Sequence, residues 1–341
     1  MRRRPFWPAG AGNLGRMNLL FITDPLAGFN LVKDSSLAMM RQAQLRGDAA
    51  WVCGTPDLHW QRGERVSAVM QRLHLKDPIN DWYQVEETQA KALCDMDAVL
   101  MRKDPPFDSE YFYATHLLSQ AQREGAKVFN HPSALREHPE KLALMEFAEW
   151  TTPTLVTRQP EAIRAFHALH HDIILKPLDG MGGMGIFRVR ADGLNLGSII
   201  ETLNREGATS VMVQKFVPDI AQGDKRVLVI GGQPVPYALA RIPQGNEVRG
   251  NLAAGGKGVA QLLTDRDRQI ALAIGPTLAA RGLLLVGLDI IGDSLTEVNV
   301  TSPTCFREIT DQTGFDVAAM FMDALAQALQ SPSATAMASV T

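Results

Sequence analysis

The sequence predicts a small α/β domain joined to a larger α+β part, and three observations carry that expectation. Strand and helix signals alternate over the first third, the pattern of βαβ units with parallel strands and right-handed crossovers. From about residue 131, short strands and antiparallel hairpins interleave with helices, which is α+β construction rather than a doubly wound sheet. The 341 residues are enough for roughly two or three domains.

Each element follows from a local signal. Residues 1–16 (MRRRPFWPAGAGNLGR) are basic, but the apolar stretch 17–22 is broken by Asp24 and Pro25 and is too short for a signal peptide. We read 1–16 as a disordered extension, with Met17 as an alternative start. Residues 18–23 (NLLFIT) form a short buried strand. Asp34 or Ser35 caps a helix through Arg46, which Gly47 ends. Residues 49–53 give a second strand, and 54–85 read as irregular. Then come a strand at 97–101, a helix at 109–124 closed by Gly125, and a strand at 127–130. These define an N-terminal domain over 17–131.

The larger part, 132–330, is expected to divide into a small subdomain at about 140–215 and a C-terminal part at about 216–330. Its expected elements are helices around 140–149, 160–170 and 196–205 and strands at 154–157, 172–176, 186–190 and 210–214. Strands 225–230 and 234–240 form a hairpin over Gly231-Gly232. A glycine-rich loop covers about 242–260, and Thr264 caps a helix to 281. The tail 331–341 (SPSATAMASVT) is expected to be disordered.

Composition excludes several function classes. A net charge of −3 gives no footprint for nucleic acid. No apolar run approaches the ~20 residues of a membrane span. Cys53, Cys94 and Cys305 form no C-x-x-C pair, which argues against zinc or a disulfide framework and fits a reducing cytosol.

The most telling stretch is 283–307. Asp289, Glu297 and Asn299 put three hard oxygen donors on apolar strands flanking Gly292-Asp293-Ser294, a hairpin. Glu297 and Asn299 are two apart and share a face. A three-residue loop, 292–294, pairs Ile291 with Leu295 and sets Asp289 opposite Glu297. The three donors then converge, which suits Mg²⁺ held partly by substrate phosphates. A two-residue loop would turn Asp289 to the other face. On its own, E-x-N also fits a polar solvent face.

Upstream, an apolar strand delivers Lys176 into four glycines within six residues, Gly180, Gly182, Gly183 and Gly185. Glycines let backbone N–H groups approach phosphate oxygens, and the lysine adds a point charge. The pattern is neither a Walker A loop nor a Rossmann fingerprint, and a plain flexible turn has the same composition. The strand 211–217 ends at Pro218, and such an end can line a flat purine or simply be buried. Asp224 could reach a ribose hydroxyl, and Lys141 could reach the same pocket or be a solvated lysine. Residues 241–258 carry five glycines with Arg241, Arg249 and Lys257, the make-up of a lid closing over anionic groups. A disordered surface loop is the bland alternative. Cys305 lies beside this constellation and reads as a packed thiol.

Five strings then converge: MRKDPPFD (101–108), ILKPLDGMGG (174–183), DKRVLV (224–229), RGNLAAGG (249–256) and GLDIIGD-x-LTE-x-NVTSPT (287–304). In their order they resemble the prokaryotic-type glutathione synthetases, an ATP-grasp ligase family, from about Met17 to Ala328. The resemblance implies an ATP-grasp fold behind an N-terminal pre-ATP-grasp domain. It implies ATP-dependent joining of γ-glutamylcysteine to glycine through an acyl phosphate, with Mg²⁺ or Mn²⁺, in a cytoplasmic homotetramer.

By motif, Lys141 and Lys176 resemble the family's ATP-phosphate lysines. Gly182 and Gly183 resemble its phosphate loop, where Met184 replaces a smaller residue. Gln214, Lys215, Phe216 and Val217 resemble the adenine linker, with Lys215 and Phe216 where Asn and Tyr are expected. Asp224 resembles the ribose-binding aspartate, and Asp289, Glu297 and Asn299 the metal ligands. Arg226, Arg241 and Arg249 look like arginines facing phosphates and peptide substrate. The alternative within the fold is another carboxylate–amine ligase, of the D-alanine–D-alanine or glutamate-adding type, which should lack MRKDPPFD and RGNLAAGG. From another class, a catalytically silent nucleotide-binding protein would not need all three metal positions intact.

Overall fold

The computed structural model describes residues 16–77, 81–245 and 247–330. The tail 331–341 and all but the last residue of the 1–16 extension lie outside them.

Three sheets organise the chain. The first is built on β1 (Asn18–Ile22), followed by α1 (Ser35–Leu45) and β2 (Ala49–Cys53). After these come β3 (Leu58–His59), β4 (Ser67–Leu75), β5 (Tyr83–Ala92), β6 (Ala98–Met101), α2 (Ser109–Arg123) and β7 (Val128–Phe129). The order is β3-β4-β2-β1-β6-β7, with β5 on the free side of β4. β2, β1, β6 and β7 run parallel, as βαβ alternation requires. The Asp34 side chain caps α1, accepting from the Leu37 N–H at 2.7 Å. Asp108 caps α2 in the same way, from the Tyr111 N–H at 2.8 Å.

Among the described residues of 54–85, regular strands replace the expected irregular stretch. β4 is a nine-residue strand antiparallel to β2, and the ten-residue β5 pairs along it, so the sheet is mixed rather than parallel. The register between β4 and β5 shifts at Arg72/Leu73, where Glu86 is the extra residue of a bulge on β5, and β5 has no fully buried residue. Neither strand therefore gives a clean apolar period.

Next come α3 (Pro132–Glu137) and a 3₁₀ segment, Leu142–Trp150, where an α-helix was expected. Phe147 has non-helical φ/ψ and kinks that segment. The second sheet holds β8 (Thr154–Thr157), β9 (Ile173–Pro177), β10 (Phe187–Val189) and β11 (Val211–Lys215), ordered β10-β9-β11-β8 and antiparallel throughout. α4 (Pro160–His170) and α5 (Leu196–Asn204) cover it through Ile163, Ile199 and Ile200.

The third sheet runs β14-β13-β12-β15-β16. β12 (Asp224–Ile230) and β13 (Gln233–Ile242) form the expected hairpin over Gly231-Gly232. Both glycines have positive φ, as a two-residue primed turn demands. β14 (Lys257–Leu262) shortens the expected loop to 243–256. Thr264 and Asp267 make a reciprocal capping box on α6 (Asp265–Ala280), ahead of β15 (Leu285–Ile291) and β16 (Ser294–Asn299). Two further helices, α7 (Phe306–Thr313) and α8 (Val317–Gln330), were not among the expected elements. They return the chain to the first sheet, where Phe306, Phe321 and Leu325 share a core with Leu37 and Met40 of α1.

Gly275 marks the tightest approach of α6 to the β12–β13 turn. A Cβ there would stand 2.7 Å from the Gly232 carbonyl oxygen and 2.8 Å from Val229 Cγ1. Overpacking costs about 1–3 kcal/mol, and the better helix propensity of alanine offsets about 1 kcal/mol. Gly275→Ala should therefore lower the melting temperature by a few degrees in a calorimetric scan; an unchanged or higher value would show that α6 shifts freely.

Candidate active site

A cleft of about 340 Å³ opens where the second and third sheets face each other. The fifteen residues given a role by motif all line it. Their placement follows from strand register.

The hairpin β15–β16 is the clearest case. Its loop has two residues, since Ile291 pairs with Ser294, so the expected three-residue loop is wrong. Taken alone, that register would turn Asp289 away. A bulge at Thr296 restores it: Ile290 pairs with Leu295, but Asp289 pairs with Glu297 and Gly287 with Asn299. The three oxygen donors reach the cleft together by one irregularity compensating another. The Asn299 amide nitrogen donates to the Gly287 carbonyl at 3.1 Å, which leaves its Oδ1 as the free oxygen.

Across β12, register sets charge against charge. Arg226 stands opposite Asp289, and Asp224 opposite Arg241. Arg226 Nε donates to Asp289 Oδ1 at 2.5 Å, and Arg241 Nη2 lies 2.9 Å from Asp289 Oδ2 and 2.5 Å from Asp224 Oδ2. Burial alone would raise the Asp289 carboxyl, but the two guanidiniums hold it well below the usual carboxylate range. Burial pushes Asp224 up to about 6, only partly countered by Arg241, and its Oδ1 is buried without a hydrogen-bond partner.

The lysines approach from the other side. Lys141 Nζ donates to the Gly180 carbonyl at 2.6 Å and lies 3.1 Å from Glu297 Oε1. It is buried, so the solvated reading does not hold. Lys176, on β9, donates to the Thr296 carbonyl at 3.1 Å. Burial lowers its pKa, and the nearby Glu297 charge opposes that shift.

Gly182 and Gly183 both have positive φ. A Cβ on Gly183 would sit 2.7 Å from Asn251 Oδ1, so the loop 243–256 lies directly on the glycine turn. Arg249 Nη1 donates to the Gly183 carbonyl at 3.2 Å. Of the three cations expected on that loop, only Arg249 belongs there. Arg241 is buried in β13, and Lys257 opens β14, exposed and outside the cleft lining.

At the far end, Gln214 lies next to last in β11, its side chain donating to Thr154 Oγ1 at 3.1 Å. Lys215 and Phe216 follow, and the Phe216 N–H donates to the Asp172 carbonyl at 2.9 Å. The Arg188 guanidinium stacks 3.5 Å above the Phe216 ring. Val217 completes this wall.

Several lining residues had no assigned role. Glu140, Asp104 and Thr304 face the cleft from outside the expected set, beside a buried Cys305 at φ 87°. Asp104 and Pro105 come from the N-terminal sheet, within MRKDPPFD. Both lie in that quoted string, which is the signal that points to them.

Two family models match the chain. One described as the prokaryotic glutathione synthetase N-terminal domain matches residues 17–136, and one described as its ATP-grasp domain matches 140–314. A glutathione synthetase of Ralstonia nicotianae is 59% identical over 312 residues, 92% of this chain and 96% of that protein. One of Bordetella parapertussis is 55% identical over 317 residues, 92% of this chain and 99% of that protein. The crystal structure of the D-cycloserine synthetase DcsG matches with a TM-score of 0.63 over 92% of this chain and 100% of that chain. At 16% identity, that is a likeness of fold alone. The chain therefore belongs to the prokaryotic glutathione synthetase family of ATP-grasp ligases.

Proposed function

We propose that this cleft joins the cysteinyl carboxylate of γ-L-glutamyl-L-cysteine to the amine of glycine through an acyl phosphate, with Mg²⁺ or Mn²⁺ as the metal. The chain is an ATP-dependent ligase of glutathione synthesis. The observation that carries the finer reading is the convergence of Asp289, Glu297 and Asn299 with Lys141, Lys176 and the glycine turn in one cleft.

The chemistry explains that set of groups. A carboxylate does not accept an amine at neutral pH, because oxide is a poor leaving group. Transfer of the γ-phosphoryl group to the carboxylate oxygen releases ADP and makes phosphate the leaving group. The glycine nitrogen then bonds to the carbonyl carbon, phosphate departs, and the ammonium proton is lost. Positioning and electrostatics dominate such a transfer, so no nucleophilic Ser or Cys is needed.

Hard carboxylate and amide oxygens suit Mg²⁺, and Asp289, which the bulge brings beside Glu297, would hold the ion together with Glu297 and Asn299. When bound, it would neutralise charge on the transferring phosphoryl group. Lys141 and Lys176 take the ATP phosphates, backed by the N–H groups of the glycine turn. Gln214 to Val217 flank the purine, and Asp224 faces the ribose. Arg226, Arg241 and Arg249 supply charge to the phosphates and peptide substrate.

A homotetramer in a reducing cytosol belongs to the same proposal. Among the described residues all three cysteines are free, which fits that compartment. No helix among the described residues is long and apolar enough to cross a membrane. Light scattering should give four times the chain mass of 37.3 kDa.

One assay decides the substrate. ADP release should require γ-glutamylcysteine and glycine together, with the tripeptide detected by mass. Equal ADP release with D-alanine, or with glutamate as the amine donor, would overturn the assignment in favour of another carboxylate–amine ligase.

A further inference from the structure

β16 is the edge strand of the third sheet, so beyond an isolated bridge from Leu295 to Thr151 one row of its backbone groups has no strand partner. The site itself closes that edge. The Thr296 carbonyl accepts from Lys176 Nζ at 3.1 Å. The Val298 N–H donates to the Glu140 backbone carbonyl at 3.0 Å. Just past the strand, Glu140 Oε1 accepts from the Val300 N–H at 2.9 Å, the Thr301 N–H at 3.1 Å and Thr301 Oγ1 at 2.8 Å. Glu140 thus holds the backbone on both sides of Asn299. The next residue, Lys141, holds the Glu297 carboxylate at 3.1 Å.

We propose that Glu140 is a positioning residue: by collecting three donors on one side-chain oxygen it fixes where Glu297 and Asn299 stand relative to Lys141. This inference rests on the metal-ligand reading above. Side chains that orient metal ligands without touching the metal typically change metal affinity by about 10- to 100-fold when removed. The clamp needs an acceptor oxygen and the full length of the side chain, not a charge. A carboxamide has the same length and keeps an acceptor oxygen, so it can take the three donors in the same place.

The test is Mn²⁺ binding followed by electron paramagnetic resonance with a non-hydrolysable ATP analogue present, on the full chain. Glu140→Ala should weaken Mn²⁺ binding about 10- to 100-fold, with nucleotide binding in the absence of metal unchanged. Glu140→Gln should stay within about threefold of wild type, because it keeps the acceptor oxygen. Glu140→Asp, one methylene shorter, should resemble the alanine variant and covers the case in which alanine fails to fold. Glutamine as weak as alanine would overturn the proposal by making the role one of charge. So would unchanged Mn²⁺ binding in the alanine or aspartate variant. Wild-type protein that binds Mn²⁺ and nucleotide but does not ligate γ-glutamylcysteine to glycine would sink the substrate reading alone, leaving the clamp comparison intact.

Discussion

Glu297→Gln should fold normally and lose at least about a hundredfold in turnover at limiting Mg²⁺. Glutamine has nearly the same shape, and β16 keeps its backbone partners through Glu140 and Lys176. Lys141 keeps its bond to the Gly180 carbonyl, so the glycine turn stays in place. What disappears, on the proposed reading, is one anionic oxygen of the metal set. Metal-assisted charge stabilisation is worth several kcal/mol in the transition state, and each 1.36 kcal/mol is tenfold in rate. The measurement is ligation rate against Mg²⁺ concentration, beside a melting curve. Wild-type turnover at limiting Mg²⁺ would remove Glu297 from the metal set. A collapsed melting temperature would instead make its role structural.

How far the sequence carries such a claim depends on the kind of information involved. Residue type and spacing are written in it, so Asp289, Glu297 and Asn299 could be read as oxygen donors on a hairpin. Pairing was legible only by luck of cancellation. The turn holds two residues rather than three, and the bulge at Thr296 supplies the missing one. A bulge has no local sequence signature here, because it is fixed by what β15 and β16 pack against. The same limit hid β4 and β5, where a bulge and a solvated edge erased the period of two. Lys141 shows the opposite failure. Taken alone it is an ordinary lysine, and only the fold buries it between Gly180 and Glu297. Glu140 carried no signal at all, since its work lies in contacts about 160 residues away.

Shortening the loop 243–256 should separate ATP binding from productive ligation. The loop lies on the glycine turn, with Asn251 against Gly183, Ala253 3.5 Å from where a Gly182 Cβ would stand, and Arg249 donating to the Gly183 carbonyl. Its own turn closes tightly, since a Cβ on Gly256 would meet the Gly250 carbonyl oxygen at 2.0 Å. Glycine makes that closed form possible and also favours opening, through the entropy of its unfolded alternatives. Arg249 is held meanwhile by Glu247 at 2.5 Å, a half-buried pair that solvent partly screens. Bound phosphate would offer it stronger, charge-assisted bonds. A closed loop keeps water from the acyl phosphate, and a shortened one does not. Nucleotide affinity should therefore change little, because the purine wall and both lysines lie outside the loop. Ligation should fall, and the ratio of ADP released to tripeptide formed should rise from near one to well above it. A shortened-loop variant that ligates at the normal rate with that ratio still near one would rule out the protective role.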